Sequence, residues 1–239
     1  MTSSSFNGGV SPSPGTRDSS IPRIAIVGGT GRLGCGLALR FAHAGVPVTV
    51  GSRVLDRAKD TAATLCEPHS GLTIGFADNG SAIAQADVVV LSVPFPHAAA
   101  TVIEHRSRFA EGALLIDVTV PVTFESGRVR VIDVVEGSAS EHVRACLPAS
   151  VSVAGAFKTV PAALLREVQQ PLDCDDLVCG DSAATRQRAM AIIQRIHGLR
   201  PIDAGPLEAA RIIEGMTLLA IKLNRRYKTR DARFRVVGI

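Results

Sequence analysis

Short apolar runs alternate along this chain with apolar positions spaced as on one face of a helix. Residues 23–27 form an apolar run that stops at Gly28-Gly29, the pattern of a strand buried on both faces. Leu33, Leu37 and Phe41 then recur every four residues, which predicts a helix over 34–44 closed by Gly45. The alternation continues with strands at 47–50 and 72–76, a helix over 54–66 between them, and a short helix at 81–85. Residues 87–93 (DVVVLSV) are the clearest buried strand; a helix over 97–109 and a strand at 112–118 follow. Further on, 129–135 alternates weakly, and Ser138 with Glu141 fits a capping box opening a helix to Cys146. Residues 151–157 and 177–179 read as strands, Asp181 as the N-cap of a helix reaching His197, and 207–224 as a last helix. This repetition predicts an α/β fold: a doubly wound, mainly parallel sheet covered on both faces, with a small C-terminal helical part.

Composition narrows the function classes. With 239 residues and 46% apolar content, the chain is no disordered polymer and has material for a sizeable core. A net charge of +4, one Tyr and no Trp argue against nucleic acid as partner, since such binders combine strong basicity with stacking platforms. The charge is also uneven. Residues 222–239 hold seven Lys and Arg against Asp231, a local +6, so the remainder sums to −2. No apolar run reaches the roughly 20 residues of a membrane span. Five scattered cysteines, an odd number without CxxC spacing, fit neither a disulfide framework nor a metal site and suit reduced thiols in a cytoplasm. Residues 1–22, rich in Ser, Pro and Gly, read as a disordered leader without a secretory core, and 23–239 as a single domain.

The chemistry begins at Gly28-Gly29-Thr30-Gly31-Arg32-Leu33-Gly34, between a strand and a helix. Gly28 permits the tight turn, Gly31 lets backbone approach a pyrophosphate, and Gly34 lets the helix pack close to the sheet, as in Rossmann-type dinucleotide sites. The second strand ends in Gly51-Ser52-Arg53 with Arg57 one turn on, and no carboxylate stands there to select NAD. A hydroxyl and two guanidinium groups favour NADP through its 2′-phosphate. Val93 and Pro94, at the end of the fourth strand, are placed to flank a nicotinamide. Gly155–Pro161 ends a later strand on the same edge, with room for a flat ring and Lys158 either facing a polarised oxygen or solvated. Glu208, Arg211, Glu214 and Thr217 form a polar stripe on the last helix, read as an intrahelical ion-pair ladder ahead of a solvated face or a cleft wall.

Taken together, IAIVGGTGRLGCGLALRFAHAG, VTVGSR, VVVLSVPFPHA, AFKTVPA, LVCGD and GLRPIDAGPLEAARIIEGMTLLAIKLN resemble the coenzyme F420-dependent NADP oxidoreductases. The resemblance implies a homodimer that exchanges hydride between NADP(H) and a 5-deazaflavin, coenzyme F420. It implies Thr30, Gly31, Arg32 and Leu33 at the pyrophosphate; Ser52, Arg53 and Arg57 at the 2′-phosphate; and Val93 and Pro94 along the nicotinamide. Lys158, Thr159, Val160 and Pro161 would line the deazaflavin, with Lys158 where archetypal members have His and its charge set against the anionic pyrimidine edge. Direct hydride transfer requires no acid–base residue. The competing readings are an NADPH-dependent reductase of a small carbonyl or imine, and a non-catalytic NADPH-sensing module.

Overall fold

Strand register and helix cover follow from which residues alternate. The computed structural model describes residues 21–125 and 128–239; the first 20 residues of the expected leader lie outside the described residues. Its elements are β1 (Ile24–Val27), α1 (Arg32–His43), β2 (Val48–Ser52), α2 (Leu55–Cys66), β3 (Gly75–Asp78), α3 (Asn79–Ala84), β4 (Val88–Leu91), α4 (Phe95–His105) and β5 (Leu114–Asp117). After these come a hairpin, β6 (Val122–Glu125) and β7 (Arg128–Val131), then α5 (Ala139–Ala145), β8 (Ser152–Gly155), β9 (Cys174–Gly180), α6 (Ala183–Ile193), β10 (Leu199–Pro206) and α7 (Ala210–Tyr227).

Eight strands form one sheet in the order β10-β9-β8-β5-β4-β1-β2-β3. Strands β3, β2, β1, β4, β5 and β8 are mutually parallel. Every residue of β1, β4 and β5 is buried. Alternate residues serve opposite faces. Ile24, Ile26, Val88, Val90, Leu114 and Ile116 pack with α1, α2 and α6, whereas Ala25, Val27, Val89, Leu91 and Leu115 pack with α3, α4, α5 and α7. The chain leaves β1 toward β2 and β3 on one side and passes to β4 and β5 on the other. The crevice beyond the carboxyl ends of β1 and β4 is therefore the switch point at which such sheets bind ligands.

Beyond β8 the expected pattern changes. Strand β9 runs antiparallel to β8, and β10 is parallel to β9. The connection from β8 to β9 holds only a 3-10 turn, Leu164–Arg166, too little for a parallel crossover. That connection is fastened to α1 by Arg40, which is buried and donates to the carbonyls of Leu164, Leu165, Glu167 and Gln170 at 2.7–2.9 Å.

Several element boundaries move. The strand expected at 72–76 lies at Gly75–Asp78, because pairing with β2 begins only at Thr49 opposite Gly75. The weak strand at 129–135 becomes β7, paired with β6 outside the main sheet. Asp181 does not cap α6. Its carboxylate accepts the Val153 amide at 2.7 Å, and Ser182 caps the helix by accepting from Thr185. At Ser138, the hydroxyl accepts the Glu141 amide and donates to its carboxylate, so half of the expected capping box forms.

Candidate active site

The first loop beyond β1 is shaped by two glycines. Gly28 has φ of +73°, and a Cβ there would lie 2.6 Å from Val93 Cγ1. A Cβ on Gly34 would lie 2.7 Å from the Gly29 Cα, so only glycine allows α1 to approach the loop this closely. The cavity above this loop, about 510 Å³, is lined by Gly28, Thr30, Gly31, Ser52, Arg53, Arg57, Val93 and Pro94, and also by Asn79, Ser92, His97 and Thr101. Gly34 and Leu33 sit behind it, with Leu33 packed on the core.

Four helices begin at this cavity; α1 after Gly31, α2 after Val54 and α4 after Pro94 have no side-chain cap, whereas α3, opening at Asn79, is capped by Asp78, which accepts the Ser81 amide. Elsewhere α5 and α6 are capped by Ser138 and Ser182. The first turns of α1 and α2 present free amides and the positive end of the helix dipole, which suits an anionic ligand; α4 offers less, since Pro96 has no N–H and the His97 amide donates to the Pro94 carbonyl at 2.9 Å. The Ser52 hydroxyl accepts the Val54 amide at 3.2 Å and keeps its proton to donate. Among the described residues no carboxylate pairs with Arg53 or Arg57. Buried Asn79 has a carboxamide oxygen with no partner. Sequence reading missed this residue, since a single Asn at a helix start carries no motif. The donor set fits the phosphates of a nucleotide, and the orphaned carboxamide oxygen, an acceptor, fits a hydroxyl or N–H of the same ligand.

A second cavity of about 620 Å³ adjoins the same loop. Arg32 lines it where Gly31 lines the first, so consecutive residues face the two spaces. Its walls are Lys158, Thr159, Val160, Pro161, Ala162 and Ala163 on one side and Thr217, Ala220, Ile221, Asn224 and Arg225 of α7 on the other. Exposed Phe124 of β6 and Thr229, Arg230 and Ala232 of the C-terminal segment complete its lining.

Lys158 corrects one expectation. Its backbone borders the second cavity, but its side chain has 0% exposure. The ammonium lies 2.8 Å from Asp117 Oδ2, 2.5 Å from the Thr119 carbonyl and 3.0 Å from Glu214 Oε1. Asp117 also accepts from the Thr119 amide and hydroxyl and from the Ser140 hydroxyl, and Glu214 accepts the Ala139 amide. A charge so enclosed does not meet a ligand directly. Burial pulls the lysine pKa down, but Asp117 and Glu214 outweigh it and hold it above the usual range. Burial pushes Glu214 up, against the pull of Lys158. The preceding residue, Phe157, is held at φ of +56° with its amide donated to buried Asp176 at 2.7 Å. Burial raises the Asp176 carboxyl to about 7.

The polar stripe of α7 is likewise not an intrahelical ladder. Arg211 forks onto Glu141 of α5 at 2.6 and 2.8 Å, Glu214 meets Lys158, and the Thr217 hydroxyl donates to the Lys158 carbonyl at 2.8 Å. The stripe joins α7 to the sheet and to the wall of the second cavity.

The family described as NADP oxidoreductase, coenzyme F420-dependent, matches residues 23–121. An F420-dependent NADP reductase of Methanothermobacter thermautotrophicus is 41% identical over 224 residues, covering 92% of this chain and 96% of that protein. The reductase of the same name from Methanocaldococcus jannaschii is 34% identical, covering 91% and 99%. Among solved structures, an Arthrobacter protein provisionally described as an F420-dependent NADP reductase superposes with a TM-score of 0.75 at 22% identity, covering 91% of this chain and all of that one. An imine reductase from Myxococcus stipitatus gives 0.58 at 19% identity, with 62% of its length covered.

Proposed function

The chain belongs to the coenzyme F420-dependent NADP oxidoreductases, and on that premise we propose that its two adjoining cavities are the seats of the two coenzymes. The protein is an oxidoreductase acting on NADP(H) and F420. The observation that carries the assignment of sites is the loop at Gly31-Arg32, whose neighbouring residues face one cavity each. In this reading Thr30, Gly31 and the free backbone amides of Arg32 and Leu33 at the start of α1 hold the pyrophosphate, the Arg32 side chain facing the second cavity and the Leu33 side chain the core. Ser52, Arg53 and Arg57 hold the 2′-phosphate, and Val93 and Pro94 border the nicotinamide. Thr159, Val160 and Pro161 form one wall for the deazaflavin, facing Ala220 and Ile221.

When bound, the coenzymes supply the whole of the redox chemistry, a hydride passing between nicotinamide C4 and deazaflavin C5. The protein orients both rings, excludes water and balances charge. Lys158 contributes as a positioning residue: through Asp117 and Glu214 it fixes the Thr159–Pro161 wall against α7. The imine reductase likeness concerns the fold; the chain spans 62% of that protein and the full length of the reductase-like Arthrobacter protein, which favours the deazaflavin reading. The test is direct. Purified protein mixed with NADPH and oxidised F420 is expected to bleach the deazaflavin absorbance. Tight NADPH binding with no bleaching favours the sensor, and turnover of small imines alone favours the imine reductase.

We place the enzyme in the cytoplasm and read it as a homodimer. Exposed Ile212 and Leu219, at 73% and 49% exposure, lie on one line of α7 with half-buried Met216 and Leu223. That stripe supports a symmetric contact between two copies. Light scattering is expected to give twice the 25.0 kDa chain mass and, for Leu219→Asp, the chain mass alone. A wild-type monomer at micromolar concentration contradicts this.

A further inference from the structure

The basic C-terminal segment is not uniform in its partners. Arg233 pairs with Asp231 at 3.5 Å, Arg235 pairs with Asp173, and Arg200 of β10 forks onto Asp175 at 2.8 Å. Arg225 and Arg230 are exposed, and among the described residues neither lies in ion-pair contact with a carboxylate. Both line the second cavity, whose inner walls are Val160, Pro161, Ala162, Ala220 and Ile221.

The backbone holds these two arginines at the mouth. Helix α7 ends at Lys228, a non-glycine residue with φ of +53°. The chain turns back there. The Asn224 carbonyl accepts the amides of Lys228 and Thr229, and its side chain accepts that of Ala232 at 2.9 Å. Further on, the segment is clipped to β9: the Asp175 amide donates to the Phe234 carbonyl, and the Val236 amide donates to the Asp175 carboxylate. Arg230 is thus presented by an anchored turn, and Arg225 by the last full turn of α7.

We propose that Arg225 and Arg230 form a subsite for the acidic side chain of the deazaflavin coenzyme, outside the apolar slot that takes its ring. An apolar slot opening onto two unpaired guanidinium groups matches a ligand with a flat headpiece and a flexible anionic tail. Guanidinium forks suit both phosphodiester and carboxylate oxygens. The subsite rests on the deazaflavin reading above, and it gives the C-terminal charge a partner.

The experiment compares intact F420 with the deazaflavin riboside that lacks the acidic side chain, both against NADPH. The double variant Arg225→Ala/Arg230→Ala is expected to raise KM for intact F420 about tenfold and to steepen nothing with salt, whereas the wild-type KM rises with ionic strength. Its KM for the tailless riboside and for NADPH is expected to stay within about twofold of wild type. Arg226→Ala, an exposed neighbour that does not line the cavity, serves as the charge control and is expected to leave all three values unchanged. Unaltered KM for intact F420 in the double variant overturns the subsite while leaving the enzyme's reading intact. An equal rise for F420 and the tailless riboside also overturns it. Failure of the wild-type protein to turn over either deazaflavin overturns the parent reading and the subsite together.

Discussion

Arg53→Ala is expected to raise KM for NADPH about a hundredfold while KM for NADH moves by less than about threefold. The expectation follows from what surrounds the end of β2. Arg53 and Arg57 both line the first cavity, and neither is neutralised by a carboxylate among the described residues. Ser52 beside them is buried, with its lone pair taken by the Val54 amide and its proton free for an oxygen in the cavity. A 2′-phosphate brings two negative charges to that cluster, whereas a 2′-hydroxyl brings none, so removal of the guanidinium is felt by one coenzyme and scarcely by the other. Arg57→Ala is expected to act in the same direction with a smaller effect, since it stands one turn into α2. Initial-rate kinetics with both nicotinamide coenzymes decide the matter. Equal losses for NADPH and NADH would mean that Arg53 serves the fold or the pyrophosphate instead.

The parts of this site that could be read from sequence are those whose chemistry is local. The glycine turn, the helix after it and the Ser52-Arg53 pair each occupy a few consecutive residues at a strand end, so period and spacing suffice. The two-faced burial of β1, β4 and β5 was equally legible, because strands covered on both sides are apolar throughout. Strand β9 was found only in part, since Asp175 and Asp176 interrupt its apolar run; both are buried with specific donors, Arg200 for one and the Phe157 amide for the other. The stripe on α7 was misread for a related reason. Helical spacing allows Glu208, Arg211 and Glu214 to pair along the helix, but spacing carries no information on α5 or on Lys158, which lie far off in sequence and supply stronger partners. Lys158 itself shows the same limit. A lysine at a strand end looks solvent-facing until the topology brings β5 and α7 to either side of it.

That enclosure makes Lys158→Met the substitution with the greatest expected cost to stability. Among the described residues the lysine is the one cation touching Asp117 and Glu214, whose side chains are 0% and 5% exposed. Its loss leaves buried carboxylates uncompensated, at a cost of about 3–5 kcal/mol. For a domain of this size the melting temperature is expected to fall by about 10 °C near neutral pH. The sign of the pH dependence is specific. In the wild type the lysine pKa is raised in the folded state, so its contribution is complete below the ordinary lysine value and fades only as pH climbs through the raised one. Glu214 is already pushed up by burial and restrained by Lys158. Without that restraint its folded-state pKa rises further, and a carboxyl with a raised pKa stabilises the fold only while protonated. The deficit of Lys158→Met is therefore expected to be small at acid pH, to grow as pH rises through neutrality, and to shrink again only where wild-type Lys158 itself titrates. Adding Glu214→Leu is expected to recover part of the loss, because one of the stranded charges is removed, while Asp117 keeps its hydroxyl and amide donors. Melting curves of the three proteins between about pH 5 and 9 read this out. A deficit that is flat across that range, or a double variant no more stable than the single, would show that the lysine fills space rather than balancing charge.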